Sequence, residues 1–192
     1  RDGQQRLEHP VGVDVERVEL RRLAEVHELG RHDKSAAFKA LSRALAEDPA
    51  DGQTADDIER LTAELGQWDK AADVFAERAS SVLDPDTSRA LYNRLARIAE
   101  QHLEDDARAV EAYTRAIEQA GDDPDSLGAL DRLYTKLQAW SELGEILDRR
   151  IQASMDPVER SELLVRLGTL KQSQFADLRG AFRAFQEVID RE

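Results

Sequence analysis

The chemistry open to this chain rests on 40 Asp and Glu, 27 Lys and Arg and four His, with no Cys. The histidines are His9, His27, His32 and His102. No two of them stand four residues apart, and no His-Glu-x-x-His pattern occurs, so a zinc-type site is not expected. Without cysteine there is no thiolate nucleophile, no disulfide framework and no Cys-based metal site. A Gly-rich phosphate loop ending in Lys-Ser/Thr is missing, as are a dinucleotide-binding Gly-x-Gly-x-x-Gly and a Ser nucleophile elbow. Carboxylates recur so often that any pair of them is uninformative about acid–base catalysis. These residues point to a chain without catalytic residues, cofactor or metal. The net charge of −13 disfavours nucleic acid, whose binding needs cationic side chains to release phosphate counterions.

The elements that must position these groups are helices. Only 5% of the residues are aromatic and five are Pro, and β-branched alternating runs are absent. No apolar run approaches the roughly 18 residues that a membrane span needs. Shifting the chain against itself by 72 residues aligns 55–120 with 127–192 without a gap, and 14 of the 66 pairs are identical. Arg60/Arg132, Leu61/Leu133, Trp68/Trp140, Arg78/Arg150, Pro85/Pro157, Leu95/Leu167, Ala109/Ala181 and Ile117/Ile189 are among them. A third, partial copy lies 72 residues earlier, where Arg22-Leu23-Ala24 matches Arg94-Leu95-Ala96.

Each block splits into two helical hairpins. Leu91, Leu95, Ile98 and Ala99 make one stripe at helical spacing, and Ala109, Tyr113, Ala116 and Ile117 make the next. Breaks fall at Asp48-Pro49, Asp84-Pro85, Asp123-Pro124 and Asp156-Pro157. The expectation is an all-α chain, an α-solenoid of five antiparallel hairpins near 13–48, 53–83, 87–121, 125–155 and 158–192, after a lead-in over 1–12. Ala37, Ala71, Ala109 and Ala181 let helices approach closely. Leu41, Phe75, Tyr113, Leu147 and Phe185 fill the space one turn on. A hairpin cannot cover both of its apolar faces alone, so neighbours must stack. The turn segments 47–57, 84–86, 104–106, 122–125 and 156–157 hold 14 acids and no Lys or Arg. Acids there suit helix N-caps and first turns.

These residues resemble the tetratricopeptide repeat (TPR), a 34-residue helical hairpin. Leu23-Ala24, Leu95-Ala96 and Leu167-Gly168 stand at its Leu–small pair. Ala37/Leu41/Ala44, Ala109/Tyr113/Ala116 and Ala181/Phe185/Val188 follow its second-helix pattern. Trp68 and Trp140 stand at its aromatic turn position, the first preceded by the turn glycine Gly66. The chain departs from the pattern where Glu59 and Asp131 replace the first-helix small residue, and where Arg78 and Arg150 replace the late one. Three prolines also fall later than usual. Long bacterial arrays of this Arg-rich, alternating two-unit style look similar.

The resemblance implies a right-handed superhelix whose first helices line a concave groove for peptides or partner helices. Carried over position by position, the groove comprises Arg21, Glu25 and Glu28, then Asp56, Arg60 and Glu64, then Asn93, Arg97, Glu100 and Gln101. Arg132, Thr135 and Lys136 follow, and then Val165, Thr169 and Gln172. Arg60, Asn93, Arg97, Glu100, Arg132 and Lys136 are the candidate binding residues. Arg60, Arg97 and Arg132 could form a column gripping an acidic or phosphorylated segment, or could pair with acids on neighbouring hairpins such as Glu64. The chaperone-type carboxylate clamp needs a Lys/Asn set, and this chain has a single Asn. The function implied is a non-catalytic protein–protein interaction scaffold or adaptor within a larger protein or assembly. The alternative is the regulatory array of a multidomain enzyme or signalling protein. No polar capping helix follows Ile189, so self-association or continuation through the last hairpin is expected.

Overall fold

The computed structural model describes residues 11–190. Among them lie ten α-helices and no strand, and none of these helices is long and apolar enough to cross a membrane. They are α1 (Val11–Glu25), α2 (Lys34–Glu47), α3 (Gly52–Leu65), α4 (Trp68–Ser81), α5 (Pro85–Gln101), α6 (Asp106–Ala120), α7 (Pro124–Leu137), α8 (Trp140–Ala153), α9 (Pro157–Gln174) and α10 (Leu178–Ile189). A single π-helical turn, Val26–Gly30, continues α1. Of the expected lead-in, residues 1–10, with His9, lie outside the described residues. Val11 and Gly12 already belong to α1.

The acidic turns act as helix starts. Asp33, Asp51, Asp84, Asp105, Asp123, Asp156 and Asp177 each accept a hydrogen bond from a backbone N–H of the helix that follows. Such a cap satisfies one of the orphan donors of the first turn. Pro85, Pro124 and Pro157 occupy the first helical turn directly after three of these caps, where a missing N–H costs nothing. That is why they fall later than the family pattern places them: they open the next hairpin. Helices α4 and α8 have no side-chain cap and begin instead with Trp68 and Trp140. The residues before those starts, Gly66 and Gln138, are left-handed, at φ 64° and 56°.

The chain divides into two compact units, Arg1–Leu103 and Glu104–Glu192. Within each unit helices pack mainly on their neighbours in chain order, α1 to α5 in the first and α6 to α10 in the second. That near-neighbour packing is the signature of a helical-hairpin solenoid, and the fold is all-α of this class. In the first unit Leu41, Leu45, Ile58, Leu61, Phe75, Leu91, Leu95 and Ile98 are buried around Ala37, Ala71 and Ala72. In the second, Leu143, Leu147, Ile151, Leu163, Leu164, Leu167, Leu170 and Ala184 form one cluster, joined by Tyr134, Trp140 and Val188.

The 72-residue period survives as three-dimensional contacts even where the residue types change. Ser88 Oγ donates to the Ala79 carbonyl at 2.9 Å, tying α5 to the end of α4. Seventy-two residues later Arg160 donates to the Ile151 carbonyl at 2.5 Å, tying α9 to the end of α8. The left-handed turn before α2, α6 and α10 recurs at the same register, at His32, Glu104 and Ala176, with φ of 53°, 53° and 51°. None of the three is glycine, so no glycine spacing marks this turn in the sequence.

Candidate protein-interaction site

Helices α1, α3 and α5 carry the first-unit groove positions, and arginines join them in pairs. Arg60 on α3 donates from both terminal nitrogens to Glu28, at 2.6 and 2.9 Å, and reaches Glu64 at 3.3 Å. Arg21 on α1 contacts Asp51 at 3.1 Å and Asp57 at 3.2 Å. Arg94 on α5 reaches back to Glu59 at 2.6 Å and Asp56 at 2.7 Å. Arg97, which is exposed, lies 4.0 Å from the same Glu59. Between α1, α2 and α3 these groups enclose an open cleft of about 280 Å³, lined by Arg21, Ala24, Glu25, Glu28, Leu29, Leu41, Asp57 and Arg60.

The arginines set the ionisation of their partners. The hydrogen bond from Arg60 holds the Glu28 carboxyl below the usual range, against a smaller opposing effect of burial. Burial by itself would raise the Asp51 carboxyl. Hydrogen bonds from Thr54, with the charges of Arg21 and Arg17, outweigh that and lower it.

In the second unit the same register is built around Asp131 on α7. It is only 3% exposed. Arg166 on α9 donates both terminal nitrogens to it, at 2.7 and 2.6 Å. Arg150 on α8 donates to the same carboxylate and reaches Glu159 at 2.9 Å. Burial would raise the Asp131 carboxyl, but Arg166 and then Arg150 reverse that and hold it low. Arg94–Glu59 and Arg166–Asp131 are thus one interaction repeated after 72 residues. The departures from the family pattern at Asp131 and Arg150 are partners of each other: an ion pair occupies the place of two small residues.

Of the six candidate residues, Arg60, Asn93, Arg97 and Glu100 lie in the first unit, on α3 and α5. Arg132 and Lys136 lie in the second, on α7. Arg60 joins Arg21, Glu25 and Glu28 in the cleft. Lys136 is tied to Asp106 on α6 at 2.6 Å. Asn93, Glu100 and Arg132 each have interaction partners of their own. Sequence reading missed Arg94 and Arg166 as organisers. Their signal was present: both are Arg at a 72-residue spacing, each 35 residues after an acid at the family's small position.

A second cleft, about 370 Å³, opens between α8, α9 and α10, with Arg160, Lys171, Arg183, Asp148, Asp177 and Glu187 at its rim. Gly168 lies beneath it on α9; a Cβ there would stand 2.6 Å from the Phe185 ring. His102 belongs to a contact that the sequence did not announce. Its ring stacks on Trp68, with centroids 3.6 Å apart and planes 4° from parallel. No group of three or more His, Cys, Asp or Glu that could hold a metal ion occurs among the described residues.

No protein-family model matches the chain, and no curated protein matches it in sequence. Solved structures do match in fold. One crystal structure of MamA aligns with a TM-score of 0.51 at 16% identity, over 93% of this chain and 93% of that one. A second MamA structure gives 0.50 at 16% identity, over 85% and 91%. YrrB, described as a TPR protein with an unusual peptide-binding site, gives 0.50 at 14% identity, over 94% and 89%. With the Asp-capped hairpins, the Leu–small pairs and the nearest-neighbour packing already in place, this likeness makes the chain a divergent tetratricopeptide-like helical repeat.

Proposed function

We propose that this chain is a non-catalytic interaction scaffold or adaptor, and that the polar faces of α1, α3 and α5 hold a peptide or a partner helix. The observation that carries the reading is the α1–α3 cleft, where Arg60 stands beside the exposed apolar side chain of Leu29. A cation next to an apolar surface fits a segment that offers both a carboxylate and an aliphatic or aromatic side chain. The peptide-binding description of YrrB, a protein of the same fold, supports a peptide as ligand.

The ion pairs define the mode of recognition. Arg60 is already satisfied by Glu28, so an incoming carboxylate or phosphate must exchange with Glu28 rather than fill an empty site. Arg97 is the more accessible cation and makes only a 4.0 Å contact with Glu59. Binding by exchange adds little raw affinity and makes the sequence of charges on the ligand decisive.

The test is a pull-down with the intact chain, identification of the captured proteins, and a repeat with Arg60→Glu plus Arg97→Glu. A control carries Arg115→Glu, an exposed arginine on α6 away from these helices. Proteins retained by the parent and the control but lost by the double variant support the groove. Undiminished capture by a double variant with parental circular dichroism rejects it.

A further inference from the structure

Helix α10 carries Leu178, Phe182, Phe185 and Ile189, whose spacing places all four on one side. The 72-residue period shows what such a face is for. Phe182 is the equivalent of Phe38 on α2 and Val110 on α6, and Ile189 is the equivalent of Leu45 and Ile117. Phe38 is 8% exposed, Leu45 0% and Ile117 3%, in helices against which α3 and α7 pack. Phe182 and Ile189 are 65% exposed. No helix follows α10 among the described residues.

We propose that this face of α10 is a docking surface for one amphipathic helix built like α3 and α7. Its apolar stripe would correspond to Ala55, Ile58 and Leu61, or to Leu127, Leu130 and Leu133, all of them buried in the two internal junctions. One position must differ. Lys34 on α2 pairs with Glu64 on α3 at 2.6 Å, and Asp106 on α6 pairs with Lys136 on α7 at 2.6 Å with the charges exchanged. On α10 the equivalent of Lys34 and Asp106 is Leu178, 66% exposed. The partner helix therefore carries an apolar side chain in the register of Glu64 and Lys136, since a charge there would face Leu178 unpaired.

A second copy of this chain does not meet that description. Its free first helix, α1, is of the α5 and α9 kind: Leu23 and Val26 are the equivalents of Leu95 and Ile98, and of Leu167 and Leu170. The helices that precede α5 and α9 present Ala72 and Gly144 where α10 presents Phe182. At Gly144 a Cβ would already stand 3.8 Å from Leu170 on α9, which leaves no room for a phenyl ring at that separation. The bulky junction type takes the α3 or α7 kind of helix, and α10 is of the bulky type. This inference goes beyond the groove reading and stands without it.

Extending the chain in register tests the proposal. One extension places a copy of residues 121–156 after Glu192, with Lys136→Leu in the added copy. The comparison adds residues 85–120, the other hairpin type. The first extension is expected to raise Tm by about 5 °C or more and the second by less than about 2 °C. Binding of a hydrophobic dye should fall by roughly half in the first extension alone, as the stripe is covered. Phe182→Asp should leave Tm of the unextended chain within about 2 °C, because the ring is exposed, and should abolish the gain in the extended one. Leu178→Glu reads the same loss from the other end of the stripe. No gain from the first extension, equal gains from both, or a gain that survives both substitutions overturns the proposal. So does a dimer of the unextended chain that Phe182→Asp dissociates, which would make a second copy the occupant.

Discussion

Arg166 and Asp131, 35 residues apart in the chain, face each other fork to carboxylate, with both oxygens taken at 2.7 and 2.6 Å. The acid is almost wholly buried while the arginine stays partly exposed, so screening reduces the worth of the pair. Removing the acid leaves Arg150 and Arg166 facing each other over a cavity. Asp131→Ala should cost about 2–3 kcal/mol in urea unfolding. The double change Asp131→Ala with Arg150→Ala restores two small residues and should cost less than the sum of the single changes. A loss below about 0.5 kcal/mol for Asp131→Ala would remove the network from the account of stability.

The same carboxylate sets an acid limb. Asp131, Asp51 and Glu28 all have folded pKa values lowered below their ordinary ones. In the window between the folded and the ordinary values the unfolded chain binds more protons. Their contribution is therefore complete above about pH 4 and is lost as pH falls through the lowered values. Stability measured by urea unfolding from pH 7 to pH 2 should be flat at the upper end and drop below about pH 4. Asp131→Asn should start lower and drop less steeply. An acid limb as steep in that variant as in the parent would refute the assignment.

Four turns hold non-glycine residues in the left-handed region: His32, Glu104, Gln138 and Ala176. A Cβ there crowds the following carbonyl, a strain that glycine lacks. Ala176→Gly and Gln138→Gly should each stabilise by about 0.5–1 kcal/mol, and Gly66→Ala should destabilise by about 1 kcal/mol. Thermal melts of the three variants check both signs at once.

Gly168 stands where the other odd hairpins have Ala24 and Ala96. The Phe185 ring occupies the space a methyl would take, with its nearest atom 2.6 Å from an added Cβ. Gly168→Ala should cost about 1–3 kcal/mol. Phe185→Leu in the same chain should recover part of that loss, which chemical denaturation of the pair would show.

Trp68 and His102 stack in the first unit, whereas the residue equivalent to His102 beside Trp140 is Gln174. His102→Ala should cost about 0.5–1.5 kcal/mol and shift tryptophan emission to the red. Gln174→Ala should do neither. Equal spectra for the two variants would show that the stacked ring does not shield Trp68.

Much of the fold was legible because it is written in local signals. Asp followed by Pro marks α5, α7 and α9 through capping and φ preorganisation, which need only a few consecutive residues. The small-then-large pairs Ala37/Leu41 and Ala109/Tyr113 announce close helix approach at helical spacing. The candidate groove was legible only as a set of positions. Arg60 was readable as a cation on a first helix. Its hold on Glu28, 32 residues away, is set by how α1 and α3 stack.

The sequence by itself determined the helices, their hairpin order and the 72-residue period, because propensity, caps and apolar spacing act over one or two turns. Only the tertiary structure decided which charges meet. Arg94 finds Glu59 and Arg166 finds Asp131, Lys34–Glu64 reverses to Asp106–Lys136, and the turn at His32, Glu104 and Ala176 turns left-handed without glycine. The physical reason is range. A cap or an apolar stripe is settled within one helix, whereas an ion pair between stacked hairpins depends on the separation and rotation that packing imposes on two of them.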